Sequence, residues 1–226
     1  MKIYHLLLFT TFVFLSCASQ KQDAFAKPKT YLALGDSYTI GESVAENERW
    51  PVQLVEKFNS DQISFQSPKI IAKTGWRTDE LLEAIENELR DEKYDLVSVL
   101  IGVNNQYQGK EMAQFEREFE QVLRKAIEHS KKGAKGVFVV SIPDYGVTPF
   151  AKNADSDKIA KEISTYNAIS EKTAEKYEVD YYFITDISQK AASDHSLLAE
   201  DDLHPSGKMY ELWIERFYDT VKAKLK

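Results

Sequence analysis

Five short apolar runs, at residues 30–34, 69–73, 94–101, 136–142 and 179–185, alternate with segments whose apolar residues recur every three or four positions. The third and fourth runs, Asp95-LVSVLI and Gly136-VFVVSI, are nearly continuous in leucine and β-branched residues, as in central parallel strands covered on both faces. The intervening segments read as amphipathic helices. One begins at Trp50-Pro51, with proline in its first turn and Leu54, Val55 and Phe58 on one face. A second, over 78–90, carries Leu81, Leu82, Ile85 and Leu89, and a fourth covers 157–177.

The third helix is expected over 110–132, with Phe115, Phe119, Val122, Leu123, Ala126 and Ile127 inward and Lys131, Lys132 and Gly133 as its basic and glycine ending. The last follows His204-Pro205-Ser206, with Met209, Leu212, Trp213, Phe217, Val221 and Leu225 along one side. Strictly alternating strands and helices predict a doubly wound three-layer α/β/α sandwich with a parallel sheet; five strands in the flavodoxin-like order 2-1-3-4-5 are the expected topology. There is no internal repeat and no interdomain linker, so one domain is expected over 30–226.

The first 29 residues read differently. Lys2 precedes an apolar run from Ile3 to Leu15, then Ser16 and Cys17, the order of a signal peptide, and the run is too short to span a bilayer. Phe14-Leu15-Ser16-Cys17 resembles a bacterial lipobox, with Phe14 where leucine is usual. The expectation is a signal peptide at 1–16, lipidation of Cys17, a polar tether at 17–29, and a membrane-anchored lipoprotein, periplasmic or at the cell surface. Cys17 is the single cysteine, which excludes an intrachain disulfide or a CxxC metal site.

The net charge of −7 repels phosphate backbones, and no basic stripe interleaved with aromatics occurs, so nucleic acid is not an expected partner. The chain has no HExxH, no calcium-binding acidic loop, no Walker loop and no Gly-x-Ser-x-Gly elbow. No metal or cofactor is implied.

In doubly wound sheets ligands bind beyond the carboxyl ends of the strands. The loops there carry Gly35-Asp36-Ser37, Gly75-Trp76-Arg77 and Gly102-Val103-Asn104-Asn105, and Asp201-Asp202-Leu203-His204 precedes the last helix. A serine, an imidazole, a carboxylate and hydrogen-bond donors on one rim are the parts needed for acyl transfer. Ser37 needs a base, and His204 can serve. Asp201, three residues earlier, can reach Nδ1 on a turn and leave Nε2 facing Ser37, whereas Asp202 is placed less well. Of the other histidines, His5 falls in the signal, His129 is expected to face solvent at a helix end, and His195 is the competitor, with its acid neighbour Asp194 poorly spaced.

These blocks make the segment from Thr30 onward resemble the SGNH hydrolases, or GDSL esterases and lipases, through Leu34-Gly35-Asp36-Ser37, Gly75, Gly102-Val103-Asn104-Asn105 and Asp201-Asp202-Leu203-His204-Pro205. The resemblance implies that Ser37 attacks an acyl carbonyl and that its own N–H, the N–H of Gly75 and the Asn104 amide form the oxyanion hole. Asn105 departs from the family's usual aspartate and is expected to alter loop support or substrate contact. Members cleave acyl esters, lysophospholipids, acyl thioesters and sugar acetates, so the expected substrate is a small-molecule, lipid or glycan ester. Trp76, Arg77, Tyr107, Asp144 and Tyr145 lie in rim loops that can shape the pocket. The absence of a lid-sized apolar insertion near Ser37 favours small or soluble substrates.

Two other classes compete with a serine esterase. A catalytically weak lipoprotein that binds glycans or a partner in the same crevice is opposed by the intact serine, histidine and aspartate set. A flavodoxin-like electron carrier is opposed by the lack of a phosphate-cradling loop after the first strand.

Overall fold

The computed structural model describes residues 27–225. The expected signal peptide, Cys17 and most of the tether lie outside the described residues.

Five parallel strands, β1 (Tyr31–Gly35), β2 (Lys69–Ala72), β3 (Leu96–Leu100), β4 (Val137–Val140) and β5 (Asp180–Tyr182), form one sheet in the order β2-β1-β3-β4-β5. The helices are α1 (Ser37–Ile40), α2 (Trp50–Ser60), α3 (Thr78–Glu88), α4 (Val103–Tyr107), α5 (Met112–Glu128), α6 (Ser156–Lys176), α7 (Thr185–Ser188) and α8 (Gly207–Ala223). Right-handed crossovers put α2 on one face, where it packs with α8, and α3, α5 and α6 in contact on the other. This is the α/β/α sandwich that the apolar pattern predicts, with the expected strand order.

β1, β3 and β4 are buried along their whole length, which explains their unbroken apolar sequence. Under α2 and α8, Trp50, Phe138 and Phe217 meet with ring centroids 5.7–6.3 Å apart, all fully buried. Register then aligns the strand ends: Gly35 pairs with both Ala72 and Leu100, so the segments beginning at Asp36, Lys73 and Ile101 leave the sheet at one level.

Three details depart from the sequence expectations. α5 stops at Glu128, short of the basic cluster, and Lys131 instead pairs with Asp95 at 2.7 Å beside the start of β3. His129 is buried, not solvent-facing, because its Nδ1–H donates to the carbonyl of Glu92 at 2.9 Å. β5 is only three residues long, because the backbone N–H groups of Ile184 and Thr185 turn to the Ser141 hydroxyl (2.8 and 3.2 Å) and α7 begins at once.

Candidate active site

Ser37 opens α1 directly after β1. A Cβ on Gly35 would collide with the Leu100 carbonyl and the Thr39 side chain, so glycine is what lets the chain turn here. Asp36 caps the turn, its carboxylate accepting the Tyr38 N–H at 3.0 Å. Asp36 is fully buried and, among the described residues, its Oδ2 has no hydrogen-bond partner. Burial therefore pushes its carboxyl up to about 7, held back by the Tyr38, Gly102 and Asp36 amides.

The loop after β2 places Gly75 at a left-handed φ of 85°, a conformation that disfavours any side chain. After β3, Asn104 in α4 donates through Nδ2 to the Trp76 carbonyl at 3.0 Å, tying the two loops together. Beside it the buried Asn105 accepts the Thr78 N–H at 3.1 Å and donates through Nδ2 to Thr78 Oγ1 at 2.8 Å, while that hydroxyl donates to Glu118. The amide at 105 is thus loop support, holding the start of α3 against α4. It suits a hydroxyl whose one proton is already engaged by a carboxylate.

Residues 198–205 form a closed turn: Leu198 bridges Pro205, and Ala199 N–H donates to the His204 carbonyl at 2.8 Å. Within it Asp201 Oδ1 accepts the amides of Leu203 (3.0 Å) and His204 (2.9 Å), and Oδ2 accepts His204 Nδ1–H at 2.6 Å. Partial burial tends to raise the Asp201 carboxyl, but donors from Ser43, His204 and Leu203 outweigh it and hold it down at about 2. Asp202 occupies the left-handed corner of the turn (φ 58°), and the imidazole engages Asp201. His204 is buried, with its ring edge-on to Tyr38 at 5.6 Å.

Ser37, Gly75, Asn104 and His204 line one cavity of about 150 Å³, whose walls are largely Tyr38, Val103, Tyr107, Tyr145, Phe150 and Leu203. Tyr107 and Phe150 stand 59% and 50% exposed at its mouth, ring centroids 6.3 Å apart. The fold thus brings together the serine, imidazole, carboxylate and amide donors expected from sequence, with Tyr107 and Tyr145 beside them.

Trp76 and Arg77 do not line the cavity. Trp76 packs partly buried against the core, and the Arg77 guanidinium is held by Asp79 (3.0 Å), Glu80 (3.3 Å) and Gln108 (2.8 Å) at the start of α3. Asp144 is also structural, capping a turn through the Gly146 N–H at 2.9 Å and accepting from Gln189 at 3.0 Å. His195 is exposed on a separate turn, where Asp194 is engaged by Ser196 and Lys208. Sequence reasoning missed Phe150, Tyr38 and Leu203, which look like ordinary apolar residues, and Ser43, whose hydroxyl reaches Asp201 at 2.6 Å from 158 residues away.

A serine, an Asp-paired imidazole, Gly75 and Asn104 around one cavity of a 2-1-3-4-5 sheet are the arrangement expected of a hydrolase of the SGNH kind. The family model of GDSL-like lipases and acylhydrolases matches residues 33–212, and the chain belongs to that family. It is 22% identical over 249 residues to the uncharacterized protein YpmR of Bacillus subtilis strain 168, covering 99% of this chain and 97% of that protein. The fold resembles that of TesA, with a TM-score of 0.69 at 17% identity over 87% of this chain and 99% of TesA. It also resembles AlinE4, an SGNH-hydrolase family esterase, with a TM-score of 0.62 at 20% identity over 90% of this chain and all (100%) of AlinE4.

Proposed function

We propose that this protein is a serine esterase that hydrolyses carboxylic esters of short acyl groups through an acyl-enzyme on Ser37. The observation that carries the reading is the single cavity shared by Ser37, Gly75, Asn104 and His204, with Asp201 bonded to His204 Nδ1.

In this mechanism Asp201, ionised down to about pH 2, keeps the proton on Nδ1 and leaves Nε2 as the base that takes the Ser37 hydroxyl proton. The Ser37 oxygen attacks the ester carbonyl, and the N–H groups of Ser37 and Gly75 and the Asn104 amide stabilise the oxyanion. His204 then protonates the departing alcohol. Water, deprotonated by the same nitrogen, attacks the acyl-enzyme, and the acid leaves as Ser37 recovers its proton.

The size and walls of the cavity support a short acyl group. About 150 Å³ is below the roughly 300 Å³ at which pockets for drug-sized ligands begin, and the walls offer apolar and aromatic contact. Hydrolysis of p-nitrophenyl esters from acetate to decanoate tests this: turnover is expected to peak at two to four carbons, and a maximum at eight or ten would refute the short-acyl reading.

We further propose that Cys17 carries a lipid that anchors the enzyme to a membrane outside the cytoplasm, a reading supported by the order Lys2, apolar run, Ser16, Cys17. Metabolic labelling with palmitate is expected to mark the wild type and to be lost in Cys17→Ser. Equal labelling of both would refute it.

A further inference from the structure

On the reading that Ser37, His204 and Asp201 act together, we infer that Ser43 is a positioning residue. It holds the Asp201 carboxylate where His204 Nδ1 can use it and fixes that carboxylate relative to the nucleophile.

Asp201 accepts four hydrogen bonds. Its Oδ1 takes the amides of Leu203 and His204, three residues away at most, so this half of the carboxylate is held only by its own turn. Its Oδ2 takes His204 Nδ1–H and the Ser43 hydroxyl, both at 2.6 Å. The Asp201 side chain is 30% exposed, so in the absence of Ser43 water would compete for the oxygen that orients the imidazole. Ser43 is therefore the side chain from a distant part of the sequence that closes this oxygen.

The backbone carrying Ser43 is anchored on the nucleophile itself. Gly41 N–H and Glu42 N–H both donate to the Ser37 carbonyl at 3.1 Å, so residues 41–43 form one turn hung from Ser37. Glu42 in turn accepts from Thr74, a cavity residue in the loop that carries Gly75. Through the Ser43 hydroxyl this turn grips the acid loop, giving a continuous path from Ser37 to His204 that bypasses the open cavity.

Ser43 also has a φ of 63°, a left-handed conformation that glycine adopts more readily than serine. Of the four non-glycine residues with positive φ among those described, two, Ser43 and Asp202, flank this contact. Strained backbone kept beside a reacting group points to a side chain retained for what it holds.

Ser43→Gly removes the hydroxyl and relieves the backbone, which separates positioning from structure. The expected result is a Tm equal to or above that of the wild type, KM unchanged, and kcat for p-nitrophenyl acetate lowered about tenfold, the scale of a lost hydrogen bond to a charged group. Because Ser43 acts through Asp201, adding Ser43→Gly to Asp201→Ala is expected to cause no further loss. Wild-type kcat in Ser43→Gly, or full additivity in the double variant, would overturn the inference. If the wild type itself turns over no ester, the esterase reading fails on its own. Solvent exchange of the His204 Nδ1 proton, followed by NMR, then decides the Ser43 contact: faster exchange in Ser43→Gly upholds it, and equal exchange overturns it.

Discussion

Asn104 Nδ2 lies 3.0 Å from the main-chain oxygen of Trp76, the residue after Gly75. One amide hydrogen is thereby engaged by the neighbouring loop, which sets the plane of the side chain and leaves its other hydrogen for the oxyanion role proposed above. The donor is oriented before substrate arrives, and preorganisation of this kind is what makes such groups effective.

Asn104→Ala is accordingly expected to lower kcat about 100- to 1,000-fold with a much smaller change in KM. Asn104→Asp, which replaces a donor by an acceptor, should be no better. Steady-state kinetics on p-nitrophenyl acetate, with circular dichroism as a control for folding, checks both.

Asn105→Asp tests the amide that stands where the family more often has a carboxylate. Thr78 has one hydroxyl proton and already donates it to Glu118, so a second carboxylate on that oxygen would be buried without its donor. The variant is expected to lose about 1–3 kcal/mol of stability at neutral pH. Burial raises the folded-state pKa of the new acid, so the deficit should shrink as pH falls and the group takes up a proton. Urea unfolding at pH 5 and 8 measures the difference.

Asp36 sets a pH dependence of its own. Its folded carboxyl titrates at about 7, against 3.8 for an unperturbed aspartate, so between these values the folded chain holds a proton that the unfolded chain has released. Stability from this group is fully present below about pH 4 and is lost as pH rises through 7. Asp36→Asn keeps a capping oxygen but carries no charge. It should match the wild type near pH 4 and exceed it above pH 7, by on the order of a few kcal/mol, in denaturant midpoints taken across that range.

Tyr107 and Phe150 form the exposed aromatic edge of the cavity. On the proposed reading, truncating either to alanine removes apolar contact with the acyl group, worth about 1–3 kcal/mol per side chain. The expected effect is a roughly tenfold fall in kcat/KM for butyrate esters, carried mainly by KM, and a smaller fall for acetate esters.

Much of this architecture is legible in the sequence because burial on both faces writes itself as unbroken apolar runs. β3 and β4 lie inside their expected segments, and five long helices follow from periodic apolar faces. The short helices α1, α4 and α7, of four or five residues, have no room for a helical period; α1 is set by its Asp36 cap, while α7 starts where the Ile184 and Thr185 amides meet the distant Ser141 hydroxyl. Lys131 illustrates a second limit: a basic residue after a helix looks like a helix end, yet its charge is taken by Asp95 beside the start of β3. Arg77 is a third, since charge in a rim loop suggests a ligand until Asp79 and Glu80 are seen to hold it.

At the site, Ser37, Asn104, Asp201 and His204 are legible because they fall in strand-end loops and, for the acid and base, within one turn of each other. Ser43 is not, since only folding brings it to Asp201. Phe150 is not legible either. An apolar residue exposed at a cavity mouth has the same sequence signature as one in the core.

The most direct test of an activated serine is covalent labelling of residues 18–226 with a fluorophosphonate, read by intact mass and by mapping of the modified peptide. One adduct is expected, on Ser37, absent in Ser37→Ala, strongly slowed in His204→Ala and unchanged in His195→Ala. A folded wild-type protein that takes up no label, or takes it on another residue, would contradict an activated Ser37.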